Sequence, residues 1–266
     1  MNCKNCHTEL QKQDDYCKNC GGKVIRNRLT LKNLFEHLSE TFFNYDNKLL
    51  RTIKLLFIKP EEVIGTYISG VRKRYVNPVS FFGLSLSISG ISLFIIKRFY
   101  LQYFDLVAWF SSLKLFSNEY SQEALAAYST SDSMEYSSLI FSAIVPIFGL
   151  LSWIIFYDKK YNLTEHVVIY LYSMSLISIV TVIVGQLILL LIPTYYIPFI
   201  LITYPIMLLY HCFLLKRLFK LSFSELALKT FLFLTLFSIC YLGLGILSFI
   251  IALITGTYDL EAFKPQ

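Results

Sequence analysis

The chain has 266 residues, of which 55% are hydrophobic, 17% are aromatic and only 16% are charged, and its mean hydropathy is +0.56. Soluble domains usually carry about 25% charged residues, so this composition argues against an ordinary soluble protein. The formal net charge is +6, and residues 1–78 hold 14 Lys and Arg residues against 8 Asp and Glu residues. A basic segment before the first apolar run favours anionic lipid over nucleic acid as a partner.

Two cysteine pairs stand at the start of the chain, with ten residues between them, at Cys3, Cys6, Cys17 and Cys20. Two C-x-x-C pairs supply four thiolates, which complete a tetrahedral shell around one metal ion. We therefore predict a zinc ribbon over residues 1–26 with Zn²⁺ as a structural ion, because four thiolates leave no open position for catalysis. Iron and a redox-active dithiol are the alternatives for the same pattern.

The predicted ribbon is too short to fold on an apolar core, so the metal must supply its folding free energy. Leu10, Tyr16 and Val24 are the apolar residues available to pack around the metal. His7 follows the first cysteine pair, and we predict it to be a bystander because four thiolates already fill the shell. The basic residues of the ribbon lack interleaved aromatic residues, which disfavours nucleic acid as its partner.

Residues 27–77 are predicted to form amphipathic helices at the cytoplasmic membrane interface. Apolar residues recur at helical spacing on one face of two segments. They are Leu31, Leu34, Phe35, Leu38 and Phe42 in the first segment, and Leu49, Leu50, Ile53, Leu56 and Phe57 in the second. A further helix is predicted to begin at Pro60, since proline fits the first turn and Glu61 and Glu62 favour its positive end.

A basic turn follows that helix, at Arg72, Lys73, Arg74 and Tyr75. We predict that these side chains lie at the depth of lipid headgroups and anchor the topology of the chain. A specific site for an anionic lipid is the alternative, although three adjacent charges are fewer than the roughly four to eight that are typical of such sites. Membrane lipids are accordingly predicted partners.

Five hydrophobic segments reach the roughly 20 residues that a helix needs to cross the apolar core of a bilayer. The spans are placed at about 79–96, 138–157, 167–192, 195–215 and 228–255. They make up a transmembrane domain over residues 78–257, and residues 258–266 form a short tail. The predicted fold class is an all-α membrane protein, a five-helix transmembrane bundle with a small N-terminal zinc ribbon.

The loops between the predicted spans differ in charge. Lys and Arg residues are concentrated in the loops around residues 157–166 and 216–229, whereas the loop 97–137 holds three basic and five acidic residues. The positive-inside rule assigns the basic side to the cytoplasm. We therefore expect an integral protein of a bacterial inner membrane, with its N-terminus in the cytoplasm and its C-terminus outside.

A sequence pattern of the type T-x-x-L…P…Y-x-x-G-x-R-x-x-Y-x-x-P precedes the first span. Its matching residues are Thr52, Leu55, Pro60, Tyr67, Gly70, Arg72 or Lys73, Tyr75 and Pro78. Together with the two cysteine pairs, this pattern resembles a bacterial integral membrane family of unknown function with an N-terminal zinc ribbon and multiple transmembrane helices. The resemblance covers about the first 95 residues and implies no activity. His7 is a departure, since glycine is common there in such ribbons. The five-span layout is also similar to Yip-type membrane proteins, in topology alone.

The predicted spans contain no Asp or Glu at depth, although proton-coupled carriers and intramembrane proteases require acids there. The sequence also lacks a P-loop, an H-E-x-x-H motif and a G-x-S-x-G motif. The leading hypothesis is a non-enzymatic scaffold or adaptor whose cytoplasmic zinc ribbon docks a protein partner. Stripes of small residues on the first and fifth spans favour close helix packing, within the bundle or in a homo-oligomer.

Two further functions are weighed against the adaptor. A transporter or permease component predicts a polar cavity lined by Ser, Thr, Tyr and Gln186 that reaches the middle of the membrane. A lipid-modifying membrane enzyme predicts acids or histidines clustered at the interface, near Glu61, Glu62, Asp158 or His166. The lack of deep acids disfavours the enzyme most.

Overall fold

The structure is a computed structural model, and it describes residues 1–24, Thr30, 48–103 and 137–254. The chain forms two compact units, Met1–Asn47 and Lys48–Gln266. The interfacial helix predicted at residues 31–42, most of the loop 97–137 and the tail 258–266 lie outside the described residues. The first unit carries the cysteine pairs, and the second carries the helices.

Helices make up most of the described part of the second unit. Its α-helices are α1 (Lys48–Ile58), α2 (Pro60–Ile68), α3 (Pro78–Ile95), α4 (Ser137–Ile155), α5 (Leu163–Leu191), α6 (Tyr196–Phe219) and α7 (Phe223–Ile254). A π-helical turn, Ile96–Tyr100, extends α3, and 3₁₀ turns lie at Leu101–Tyr103, Tyr157–Lys159 and Pro193–Tyr195. Within the described ranges, β pairing is limited to two isolated bridges in the first unit.

Four helical segments are long and apolar enough to cross a membrane, at Pro78–Tyr100, Leu163–Leu191, Pro193–Phe219 and Phe223–Leu247. These segments indicate an integral membrane protein. The segment predicted as the second span forms a shorter apolar helix, Leu139–Ile155. The described chain thus has seven α-helices and four candidate spans, where the sequence predicted a bundle of five spanning helices.

Two helices begin several residues before their predicted spans. Asn162 caps α5: its side chain accepts a hydrogen bond from the Glu165 backbone, and the Glu165 carboxylate accepts one from the Asn162 backbone. Ser222 and Glu225 form the same reciprocal pair at the start of α7. Such capping boxes satisfy backbone donors that a helix start leaves open. The charged first turns therefore belong to the helices although hydropathy excludes them.

Helix α5 is central to the second unit and packs against α3, α4 and α6. Two glycines permit its closest contacts. A Cβ atom at Gly149 of α4 would lie 2.8 Å from Cγ2 of Val167, and one at Gly185 would lie 3.1 Å from the ring of Tyr196. The helix axes can therefore approach where a larger residue would separate them.

The α1–α2 hairpin packs on α5 and α6. Thr52 and Leu56 of α1 are fully buried, whereas Leu50 and Phe57 of the predicted apolar stripe are 58% and 45% exposed. The predicted stripe is therefore only partly the packed face. A buried threonine lies on that face because its hydroxyl has partners in the protein, as described below.

Candidate functional site

The four thiols of the N-terminal unit meet at one point, with their Sγ atoms all within 4.8 Å of one another. Cys3 lies 3.7 Å from Cys20 and Cys6 lies 3.5 Å from Cys17, each measured between Sγ atoms. A tetrahedral ion with metal–sulfur bonds of about 2.3 Å requires sulfur atoms about 3.8 Å apart. The four cysteines therefore fit a closed site for one metal ion. Among the described residues, this is the one cluster of three or more Cys, His, Asp or Glu side chains that could hold a metal.

The two cysteine pairs form nearly identical turns, related by a shift of 14 positions. The equivalent backbone hydrogen bonds are His7 N to Cys3 O and Gly21 N to Cys17 O, and Cys3 N to Thr8 O and Cys17 N to Gly22 O. The bridge between Asn2 and Glu9 likewise has its equivalent between Tyr16 and Lys23. The duplicated letters C-K-N-C at 3–6 and 17–20 are the sequence signal of this repeat, and our sequence analysis missed it.

The residue after each pair has a left-handed backbone conformation, with φ of 59° at His7 and 68° at Gly21. Glycine adopts this conformation without steric cost, and other residues adopt it at a cost. The departure at His7 therefore leaves the turn geometry unchanged. The His7 side chain is exposed, and it is not part of the metal-capable cluster.

Hydrogen bonds prepare two of the thiols for ionisation. The Thr8 hydroxyl lies 3.2 Å from Cys6 Sγ and, with the Thr8 backbone, lowers the pKa of Cys6 to about 6. The amide of Asn19 donates to that hydroxyl over 3.0 Å, which fixes its orientation. The side chain of Asn5 and the backbone of Gly22 lower the pKa of Cys20. Metal ligation requires the thiolate form, so both shifts favour binding. Burial and the neighbouring thiols of Cys6 and Cys20 act in the opposite direction on Cys17 and raise its pKa to about 11.

The apolar core formed by residues 1–24 is small, as the sequence predicts for so short a segment. Cys3, Leu10 and Cys17 are buried, and Cys6 and Val24 pack against them. Tyr16, which the sequence made available for packing, has its side chain on the surface and is 54% exposed. Among residues 1–24, two aliphatic residues and the thiols thus form the core, and the ring of Tyr16 remains at the surface.

The basic turn after α2 places its predicted residues in two environments. Arg72, Lys73 and Arg74 are exposed, and Tyr75 is 1% exposed. The Tyr75 hydroxyl donates to Oε1 of Glu62 over 3.0 Å, and Nη2 of Arg74 lies 3.1 Å from the same oxygen. Burial, followed by this bond, raises the pKa of Tyr75. The tyrosine is thus part of the protein interior, and a lipid contact of the three basic residues stays a prediction.

The residue after Tyr75 joins three parts of the chain. The backbone N–H of Val76 donates to Oγ1 of Thr52 over 3.1 Å, and its carbonyl accepts from the Tyr172 hydroxyl over 2.7 Å. The Thr52 hydroxyl itself donates to the Lys48 carbonyl. These bonds connect α1, the segment before α3, and α5, and they explain why Thr52 is buried.

The end of α1 is bound to α6. A helix leaves its last carbonyls without internal partners, and here Leu56 accepts from the Tyr210 hydroxyl while Ile58 accepts from the Arg217 guanidinium. The same guanidinium lies 2.7 Å from Oε1 of Glu61. The α1–α2 hairpin is therefore a fixed part of the second unit. Sequence periodicity carries no signal for such distant pairs.

The residues named for a lipid-modifying enzyme do not form a cluster. Glu61 pairs with Arg217, Glu62 with Arg74, and Asp158 with Lys229. His166 is buried, and its Nδ1 lies 2.9 Å from the Ser152 hydroxyl. Each group thus has a polar partner of its own, while Oε2 of Glu61 and Nε2 of His166 are buried without one.

A seam of hydroxyl groups runs between α3 and α5. The hydroxyls of Ser89 and Ser178 are 2.9 Å apart, and the Gln186 amide donates to the Ser92 hydroxyl over 2.6 Å. A cavity of about 260 Å³ lies along this seam, and Phe141 of α4 completes its wall. Gln186, selected from sequence as a polar residue at depth, is therefore a member of a buried polar contact.

A family model described as "Protein of unknown function (DUF3667)" matches residues 46–90, so that segment is similar to this family. It covers α1, α2, the basic turn and most of α3. No curated protein sequence and no solved structure matches the chain. The match agrees with a membrane protein of unknown function, and the similarity to Yip-type proteins and the bacterial origin stay predictions.

Proposed function

We propose that the protein is a membrane-embedded adaptor whose N-terminal unit binds one structural Zn²⁺ and docks a protein partner on the cytoplasmic side. The observation that carries this proposal is the convergence of four thiols on one point in a unit whose only aliphatic core residues, among those described, are Leu10 and Val24. A closed four-thiolate site stabilises a fold and leaves no position for substrate. A role in binding is the function that such a unit can supply.

The metal is tested on the purified full chain by elemental analysis. We expect about one equivalent of Zn²⁺ per chain, and we expect Cys17→Ser to lose it because three thiolates cannot close the shell. Cys240→Ser is the matched control, since Cys240 is an exposed cysteine of α7. Iron in place of zinc, or full metal retention by Cys17→Ser, would contradict this part of the proposal.

The docking surface is proposed to include the ring of Tyr16. Tyrosine is among the residues enriched at the centres of protein interfaces, and this one is exposed beside a described core whose aliphatic residues are Leu10 and Val24. In a cross-linking pull-down from membranes, Tyr16→Ser is expected to keep its metal and lose the captured partner. Gln13→Ser, at an exposed neighbouring position, is expected to retain both. If both Tyr16→Ser and Cys17→Ser still capture the partner, the adaptor role is overturned.

A transporter component is the second candidate, and the serine-lined cavity between α3 and α5 favours it. Hydroxyl groups at membrane depth are suited to hold a small polar solute. Uptake in proteoliposomes that is abolished by Ser89→Leu and unaffected by Cys17→Ser would support transport over the adaptor.

The orientation is proposed from loop charges alone, with the loops at Lys160 and Lys220 in the cytoplasm. The exposed Arg72, Lys73 and Arg74 support contact with anionic headgroups on that side. A reporter that is active only in the cytoplasm, fused after Lys220, is expected to be active. The proposal includes α4, which is shorter than the four candidate spans, as a fifth crossing. The same reporter at residue 120 is therefore expected to be silent, and the opposite pattern would reverse the orientation.

A further inference from the structure

A second cavity, of about 310 Å³, lies between α4, α5, α6 and α7. Its volume is at the lower end of the range of small-molecule sites, roughly 300–1,000 Å³. Six Phe and Tyr side chains line it: Phe148, Phe156, Tyr170, Tyr204, Phe233 and Phe237. Phe148 makes edge-to-face contacts with both Phe233 and Phe237, with ring centroids 5.3 Å apart in each pair. The wall is therefore built from rings that support one another.

Four polar side chains at the cavity, those of His211, Cys212, Thr230 and Lys229, already have partners within the protein. His211 is bonded at Nε2 to the Ser173 hydroxyl and at Nδ1 to the Met207 carbonyl. The Cys212 thiol lies 3.5 Å from Oγ1 of Thr230. These groups need no hydrogen bonds from a ligand, and a polar solute would lose its own bonds to water on entering. The chemistry of the wall thus selects hydrocarbon.

Lys229 marks one end of this cavity. Its ammonium donates to the Ile155 carbonyl and pairs with Asp158, and it lies 4.7 Å from the centre of the Phe156 ring. Asp158 belongs to the connection between α4 and α5 and is half-exposed. The cavity therefore has one end beside charged groups outside the membrane core and the rest of its length among apolar helices.

The outer side of the cavity faces the lipid. Tyr204 of α6 and Leu234 of α7 line it and are 61% and 41% exposed. Pro205 also lines the cavity and lies within α6, where its missing N–H removes one intrahelical hydrogen bond. An apolar cavity with an exposed lateral wall in a spanning bundle is accessible to hydrocarbon chains of the bilayer.

We propose that this cavity binds a single hydrocarbon chain of a membrane amphiphile, with the polar head at the Lys229 end. A free fatty acid and one acyl chain of a phospholipid share this chemistry. The site is separate from the thiols of the N-terminal unit, and the inference does not depend on the adaptor role.

The test uses the full chain in lipid nanodiscs and two probes, a photoreactive clickable palmitate and a phosphatidylcholine with the same photoreactive acyl chain. Labelled peptides are mapped by mass spectrometry. We expect saturable labelling concentrated on cavity residues of α6 and α7, such as Met207 and Leu234, with competition by unlabelled palmitate or phospholipid. Whichever probe labels these residues identifies the source of the chain.

Thr230→Phe fills the cavity, and Thr235→Phe makes the same change on the exposed face of the same helix. We expect Thr230→Phe to reduce labelling of the cavity peptides at least about fivefold and Thr235→Phe to leave it unchanged. If Thr230→Phe fails to fold, the labelling pattern and the competition measured on the unmutated chain test the proposal. Labelling by both probes that is spread over all lipid-facing helices and is not competed would show annular lipid only, and would overturn the proposal.

Discussion

The Tyr210 hydroxyl donates a hydrogen bond to the carbonyl of Leu56, 154 positions earlier in the chain. About two turns further along α6, Arg217 binds the Ile58 carbonyl and the Glu61 carboxylate. The last carbonyls of α1 thus have partners on α6, and the first turn of α2 is held by the same arginine. The start of the segment that matches a family of unknown function is therefore held in place by contacts with α6, a distant part of the chain.

Replacing Arg217 with alanine is expected to lower the free energy of unfolding by about 2 kcal/mol. The change leaves both the Ile58 carbonyl and the partly buried Glu61 without this partner. The measurement is the thermal unfolding midpoint in detergent, followed by intrinsic fluorescence. Lys216→Ala, at the exposed neighbouring position, is the control and is expected to change the midpoint little. Equal effects of the two variants would show that the contacts of Arg217 with Ile58 and Glu61 contribute nothing to stability.

Gly149→Ala is expected to destabilise the bundle by about 1–3 kcal/mol. The new methyl group would lie 2.8 Å from Cγ2 and 3.2 Å from the backbone of Val167, so α4 and α5 would have to separate. Gly83→Ala is the matched control, because no described atom lies within 4 Å of its added Cβ. Alanine is the better helix former by about 0.5–1 kcal/mol, so this control is expected to be neutral or stabilising in the same unfolding assay.

His7→Gly is expected to keep one equivalent of metal and to release it to a chelator up to about fivefold more slowly. Glycine removes a steric cost of about 1 kcal/mol at the left-handed φ of 59°. His7→Val, with a β-branched side chain at the same φ, is expected to release metal faster. Release is followed with a colorimetric zinc indicator. Loss of metal from His7→Gly would instead make His7 a ligand.

Asp158→Asn is expected to destabilise the protein at neutral pH and to matter progressively less in acid. The Lys229 hydrogen bond lowers the pKa of Asp158 below its ordinary value of 3.8. A carboxylate with a depressed pKa contributes stability above its unfolded pKa, and that contribution is lost as pH falls through the folded pKa. Unfolding midpoints of the two proteins from pH 7 to about pH 3 provide the test. A difference that stays constant below pH 4 would exclude this ion pair as the cause.

The apolar helices could be located from sequence because burial in lipid demands a continuous run of apolar residues. Hydropathy did not locate the starts of α5 and α7, because hydropathy windows exclude Glu165 and Glu225. These glutamates complete capping boxes with Asn162 and Ser222, and the pattern of a small polar residue followed three positions later by glutamate was legible in the sequence. Helix starts are thus better read from caps than from hydropathy.

The cluster of four thiols was the part of the protein most accessible to sequence, because both cysteines of each pair lie within one turn. The contacts of α1 with α6 and with the segment before α3 were the least accessible. Thr52 is polar and fully buried, whereas Leu50 is apolar and mostly exposed, which inverts the rule on which periodicity depends. The reason is a hydrogen bond from Val76, 24 positions away. Pairing between distant residues leaves no periodic trace in a single sequence.

The bonds from Tyr172, Tyr210 and Arg217 to the α1–α2 hairpin and the segment after it also set an order of events during synthesis. A ribosome that adds about 5–20 residues per second needs roughly 8–30 s to pass from Leu56 to Tyr210, a separation of 154 positions. During that interval the hairpin has none of its partners on α6. The Leu56 and Ile58 carbonyls therefore lack these partners until α6 has been synthesised. Docking of the α1–α2 hairpin on α6 thus comes after synthesis of most of the chain.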